Sequence, residues 1–172
     1  MRKVSVRGTS GSGKTTFAAE LARRLGVPHV ELDALHHGPN WTEASAEELR
    51  TRVEPLLSQD GWVMDGNYDG KLGGLVTSAA DTVVWLDFPL PLILRRLWRR
   101  SVHRIRADVE LWSGNRESWR GAFWGWNSLF AWAIRSHVRR RRTLPKQVHP
   151  ERLVRLRSPD EARRWLERQP DG

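Results

Sequence analysis

Close to the start of the chain a short apolar run meets Gly8-Thr9-Ser10-Gly11-Ser12-Gly13-Lys14-Thr15, the spacing G-x-x-x-x-G-K-T. No other stretch limits the fold so tightly. Its glycines let the backbone wrap closely, so that successive N–H groups can point at one anion. Residues 3–7, Lys3-Val4-Ser5-Val6-Arg7, read as a strand leading into this loop. Beyond it, Phe17, Ala18, Leu21, Ala22 and Leu25 recur at helical spacing, and Gly26 supplies the stop. The helix adds its positive N-terminal end to the anion site. The expected ligand is ATP with Mg2+. Gly8, Ser10, Gly11, Ser12, Gly13, Lys14, Thr15 and Thr16 form its cradle, with Lys14 reaching the β- and γ-phosphates and the Thr15 hydroxyl ligating the metal.

The remaining pattern alternates. Strands are expected at 29–33, 62–65, 82–87 and 152–156, and helices at 43–58, 89–106, 119–140 and from Pro159 onward. Residues 34–41 read as a loop turning at Gly38-Pro39-Asn40, with Thr42 or Ser45 capping the helix that follows. Ser158 caps the last helix and Pro159 takes its first position. Strand-helix alternation predicts a three-layer α/β fold: a five-stranded parallel sheet with helices on both faces. One domain spans 1–172, with an acceptor-side insertion at about 34–61 and an Arg/Trp-rich helical lid at about 95–142. Residues 169–172 read as a frayed end.

Composition narrows the chemistry. With no cysteine, thiolate metal sites and cysteine nucleophiles are excluded. No apolar run approaches the ~20 residues of a membrane span, and no apolar leader precedes the first strand. A cytoplasmic protein without a membrane partner, monomeric or homodimeric, is the expectation. A net charge of +9 favours anionic partners. Six of the ten tryptophans fall between Trp98 and Trp132, among crowded arginines.

Ligands of parallel sheets bind beyond the strands' C-terminal ends, where Asp33, Asp65 and Asp87 lie. Asp65 ends an apolar run and is the expected magnesium residue beside Thr15. Asp33 suits the acceptor side, orienting a hydroxyl or taking its proton. Either could instead be a turn or cap residue, which is the better reading of Asp87. Arg96, Arg99, Arg100 and Arg104 share a helix face. With Arg116 beyond the Ser113-Gly114-Asn115 break, they suit a lid that folds over phosphates; the alternative is a solvated cationic face covering tryptophans. The run 139–142 reads as a surface patch. His36 and His37 read as acceptor-pocket or turn residues, and most tryptophans as packing within the lid.

Several motifs together resemble the adenylate-kinase-like small kinases, and most closely the DNA topology modulation proteins. They are Asp65-Gly66-Asn67-Tyr68, Leu32-Asp33-Ala34-Leu35-His36 with Pro39-Asn40-Trp41, Glu110-Leu111-Trp112-Ser113-Gly114-Asn115-Arg116-Glu117, and Arg155-Leu156-Arg157-Ser158-Pro159. The resemblance implies that residues 11–16 cradle phosphates, that Asp65 serves magnesium, that residues 95–120 form the lid, and that Arg157 and its neighbours lie near adenine. The departures concern the acceptor. The third strand is not followed by the proline and arginine typical of nucleoside-monophosphate kinases, and the insertion holds only Arg50 and Arg52 to grip an acceptor phosphate. The expected activity is ATP-Mg-dependent phosphoryl transfer to an anionic or hydroxylated small molecule, with Lys14, Asp33, Arg96, Arg100, Arg104 and Arg116 as catalytic residues. A nucleic-acid-associated ATP-binding protein is the alternative, and an acceptor-free ATPase switch a third possibility.

Overall fold

A computed structural model describes residues 1–170. Strands β1 (Lys3–Gly8), β2 (His29–Glu31), β3 (Trp62–Asp65), β4 (Thr82–Leu86) and β5 (Leu153–Leu156) form one parallel sheet in the order β2-β3-β1-β4-β5. Alternation along the strands builds two cores. Val4, Val6, Val63 and Val84 pack with Phe17, Leu21, Ile93 and Ala162 on one face. Trp62, Met64, Val83 and Trp85 pack with Leu49, Val53, Val76 and Leu144 on the other. Both faces are therefore covered by helices, as the near-continuous burial of β1, β3 and β4 requires. This is the three-layer α/β sheet expected from the alternation.

The helices are α1 (Lys14–Leu25), α2 (Leu32–His36), α3 (Ala46–Leu57), α4 (Asp69–Leu72), α5 (Leu75–Ala79), α6 (Leu90–Arg106), α7 (Trp119–Phe123), α8 (Leu129–Gln147) and α9 (Pro159–Glu167). The short helices α2, α4 and α5 lie where no helix is expected from the sequence, and three further differences have identifiable reasons. The second strand stops at Glu31, because the chain turns into α2 once Leu32 is buried, so Asp33 sits on a helical turn. Ser45, not Thr42, caps α3, through a reciprocal capping box with Glu48; Thr42 instead bonds Pro39. The helix expected over 119–140 is split. Gly125 takes φ +92°, and Ser128 caps a new helix by accepting from the Ala131 N–H. At the C-terminus, Gln169 is hydrogen-bonded to Leu166 and Trp165, while the expected fraying at 171–172 lies outside the described residues.

Two seven-residue loops link the segments 34–61 and 95–142. Antiparallel bridges His37–Glu43 and Glu110–Arg116 close them around 3-10 turns Pro39–Trp41 and Trp112–Gly114. The loops dock on one another. Asn115 accepts from the Trp41 N–H at 2.8 Å and donates to the Gly38 carbonyl at 2.8 Å, and the Ser113 hydroxyl donates to the His37 carbonyl at 2.9 Å. The break expected to loosen the lid is where it is fastened in this structure.

Arg7 ties β1 to the chain after β3. Its buried guanidinium donates to Ser5 Oγ (2.9 Å), the Gly66 carbonyl (3.0 Å), Asp69 Oδ1 (2.8 Å) and Thr77 Oγ1 (2.6 Å). Burial alone pulls its pKa down, and Asp69 works against that fall. Removing one partner of a buried pair strands the other charge. Arg7→Met is expected to lower unfolding free energy by about 3 kcal/mol, the low end for such pairs because Asp69 is partly exposed. Urea denaturation measures this, and an unchanged midpoint would refute it.

Candidate functional site

The phosphate loop lies between β1 and α1, and local packing dictates its glycines. A Cβ on Gly8 would meet Ser12 Oγ at 2.4 Å, and one on Gly11, at φ +88°, would meet the Ile93 carbonyl at 2.8 Å. Gly13 opens α1 from a left-handed conformation that an L side chain rarely adopts. Lys14 begins α1 and borders the cleft. Thr15 Oγ1 lies 3.3 Å from Asp65 Oδ1 at the end of neighbouring β3. Asp65 is fully buried, and its other oxygen meets His29 Nε2 at 2.9 Å. A hydroxyl beside a buried carboxylate, held from behind by an imidazole, suits a hard divalent cation. Thr15 and Asp65 are the residues that would hold Mg2+.

A cleft of about 1810 Å³ runs from this loop to the insertion and under the lid. Asp33 opens onto it, and Tyr68 donates from its phenol to Asp33 Oδ1 at 2.6 Å. The aromatic wall beside them comes from the docked loops: His37 stacks on Trp112 at 5.9 Å and meets Trp41 edge-on at 5.5 Å. His36 is buried, and burial followed by the nearby Lys71 charge lowers its pKa, against the opposing pull of Glu43. Both histidines border the cleft.

The expected arginines divide by what they touch. Arg96 donates to the Ser12 carbonyl at 3.2 Å and covers the Phe88 ring. Arg100 borders the cleft, with burial and then the like charge of Arg104 lowering its pKa. Arg104 pairs with Glu117 at 2.8 Å. Arg116 also borders the cleft, but its guanidinium contacts Asp108, next to Glu110, and so closes the lid loop. Arg157 is exposed, its backbone N–H bonded to Glu161, and it is not among the residues lining the cleft, whereas neighbouring Pro159 is.

The run 139–142 is not simply a surface patch. One turn of α8 brings Arg140 Nη1 to Thr9 Oγ1 at 2.9 Å, and Arg141 to the buried Asp87 at 2.7 Å. Asp87 also binds Arg155, so it serves as a buried double ion-pair partner and not as a turn residue. Burial, then the nearby Arg7, pulls Arg140 down to about 10, against the opposing pull of Asp69 and Asp87. Among the described residues Arg140 has no carboxylate in ion-pair contact, and it borders the cleft together with Arg139. Sequence reasoning missed Arg140, Tyr68 and His29. The only available signal was the i, i+3 spacing from His137 to Arg140, which puts both beside Thr9.

Sheet order and loop define an α/β P-loop fold of the kinase type, with an ATP-binding loop. The family described as "ATPase family associated with various cellular activities (AAA)" matches residues 4–63, from β1 into β3. An uncharacterized protein of Bacillus subtilis (strain 168), YqaC, is 28% identical over 131 residues, covering 75% of this chain and 72% of that protein. A cytidylate kinase of Halorubrum lacusprofundi is 30% identical over 128 residues, covering 62% of this chain and 64% of the kinase, just under two thirds of its length. The fold matches shikimate kinase from Bacteroides thetaiotaomicron (TM-score 0.58, 14% identity, 96% of this chain and 94% of that one). It also matches a gluconokinase from Sinorhizobium meliloti 1021 (TM-score 0.53, 18% identity, 97% and 92%).

Tyr68 is the single tyrosine, so its ionisation can be followed directly. Burial, then the negative charge of Asp33, pushes its pKa far above the ordinary 10.0. A group raised in the folded state adds stability that is complete below its unfolded value and is lost as pH climbs above it. Ultraviolet titration is expected to show no phenolate at pH 10–11 (about the free-tyrosine range) until the protein unfolds. Reversible ionisation near 10 with the fold intact would contradict the Tyr68–Asp33 contact.

Proposed function

We propose that this protein transfers the γ-phosphoryl group of ATP, bound with Mg2+, to a hydroxyl of a small anionic acceptor. One observation carries the reading: Lys14, Thr15 and the Asp33–Tyr68 pair open onto a single cleft bridged by lid arginines. A nucleotide-hydrolysing switch needs the first two; the carboxylate across the cleft makes sense when a second substrate lies between. Mg2+ would neutralise charge on the β- and γ-phosphates. Lys14 and the loop N–H groups hold the phosphates, and Arg96 and Arg100 take up charge that spreads over the moving phosphoryl group. Tyr68 occupies Oδ1 of Asp33, leaving Oδ2 to orient the acceptor hydroxyl and accept its proton. The acceptor oxygen–phosphorus bond forms as the bond to ADP breaks, in line.

Arg140 supports an anionic acceptor. A largely buried guanidinium beside Arg7, bonded to a hydroxyl and not to a carboxylate, is best compensated by an anion from the cleft. Neither Arg50 nor Arg52 borders the cleft; Arg52 binds the Leu35 carbonyl instead. The aromatic wall suits a ring on the same molecule. The names of the similar kinases, cytidylate, shikimate and gluconate, all denote anionic molecules. The motif likeness to DNA topology modulation proteins adds no acceptor of its own.

ADP formation from Mg-ATP, measured against nucleoside monophosphates, hydroxylated carboxylic acids, sugar phosphates and uncharged nucleosides and sugars, tests this. Anionic acceptors are expected to stimulate turnover and uncharged ones not. Lys14→Ala should cut the stimulated rate by about 10²–10³-fold. Turnover retained by Lys14→Ala would overturn the site, and acceptor-independent hydrolysis would favour the ATPase switch.

A further inference from the structure

Away from the cleft, α6 and α8 carry matching rows. On α6, Trp98, Val102 and Arg106 follow one another at i+4, and on α8 so do Phe130, Ile134, Val138 and Arg142. The rows meet where Trp98 touches Phe130 at 6.4 Å. Phe123 of α7 joins them to Trp119, at 4.7 Å from Trp98 and 5.6 Å from Trp119. Between α7 and α8 the turn Trp124-Gly125-Trp126 stands out from the surface, its indoles 80% and 77% exposed. Trp98, Ile134 and Val138 are exposed too. None of these side chains lines the ATP cleft. Segments 88–107 and 118–150 contain no aspartate or glutamate, while Arg95, Arg99, Arg106 and Arg142 are exposed there and lie outside the cleft lining.

We propose that this face, the outer sides of α6 and α8 with the Trp124-Gly125-Trp126 turn, docks on an anionic lipid bilayer. Indoles prefer the boundary between headgroups and acyl chains, aliphatic side chains add buried area, and flanking arginines meet anionic headgroups. An acid-free arginine field makes the charge complementarity one-sided. A single nucleic-acid strand is the weaker fit, because bases need open ring faces. Trp98 and Trp119 already pack against Phe123, Trp126 lies under Arg135 at 4.5 Å, and Ile134 and Val138 offer no ring. No helix among the described residues is long and apolar enough to cross a membrane, so the association is peripheral. The expectation of no membrane partner rested on the missing span, which says nothing of a docking face. The proposal is independent of phosphoryl transfer.

Co-sedimentation of the whole protein with phosphatidylcholine vesicles, with and without phosphatidylglycerol, tests it. Binding is expected only with the anionic lipid, accompanied by a blue shift of tryptophan emission and quenching by brominated acyl chains. Trp124→Ser/Trp126→Ser should weaken partitioning at least about tenfold, since affinity follows buried apolar area. Arg106→Gln and Arg142→Gln should each weaken it about fivefold. Unchanged ATP binding by these variants confirms that they are folded, and wild-type quenching needs no variant. No binding, or equal binding to neutral vesicles, overturns the proposal. So does tighter, Trp124/Trp126-dependent binding of a single-stranded oligonucleotide, or a dimer that shields these tryptophans.

Discussion

A guanidinium buried at the end of the central strand must find acceptors inside the protein, because an uncompensated charge there would cost several kcal/mol. Arg7 finds them mostly in the segment that follows β3: the Gly66 carbonyl, Asp69 and Thr77. The adjacent residue continues the link. Asn67 accepts from the Gly8 N–H at 3.4 Å and donates to the Gly8 carbonyl at 2.7 Å. The phosphate loop leaves from Gly8, and Tyr68 follows Asn67. One junction therefore sets the register between the phosphate loop and the groups beside Asp33 across the cleft.

The segment 95–142 is attached to the rest of the molecule at two places. Arg96 and Arg140 reach the phosphate loop from α6 and α8. The Asn115 turn reaches the insertion through backbone groups of Gly38 and Trp41. Four of the cleft-lining arginines differ in pairing: Arg104 and Arg116 are paired with acidic residues, whereas among the described residues Arg100 and Arg140 have no carboxylate in ion-pair contact. Charge that is already matched has little left for a ligand, and this gives Arg140 more weight than its place in a run of four arginines would suggest.

How much was legible in the sequence follows from how local each signal is. The phosphate loop and the five parallel strands rest on short-range pattern, and they appear in the structure, with β2 ending two residues early; Asp65, chosen by its strand-end position, lies 3.3 Å from Thr15. The split between α7 and α8 depends on one glycine dihedral and one serine cap, which helical periodicity does not register. Arg140, Tyr68 and His29 meet their partners across 131, 35 and 36 positions of sequence separation. Such contacts are products of topology. Arg157 shows the converse: a motif position that suited the nucleotide, whose side chain lies outside the cleft once β5 and α9 are in place.

If the Arg7–Gly8 junction governs the site, loosening it must be felt by the nucleotide. Calorimetric titration of Mg-ATP into wild-type protein and Asn67→Ala measures this directly. Loss of two hydrogen bonds of about 1 kcal/mol each at Gly8 predicts affinity at least about tenfold weaker, with the fold retained. Affinity within about twofold of wild type, a difference of roughly 0.4 kcal/mol, would contradict a site set by this junction.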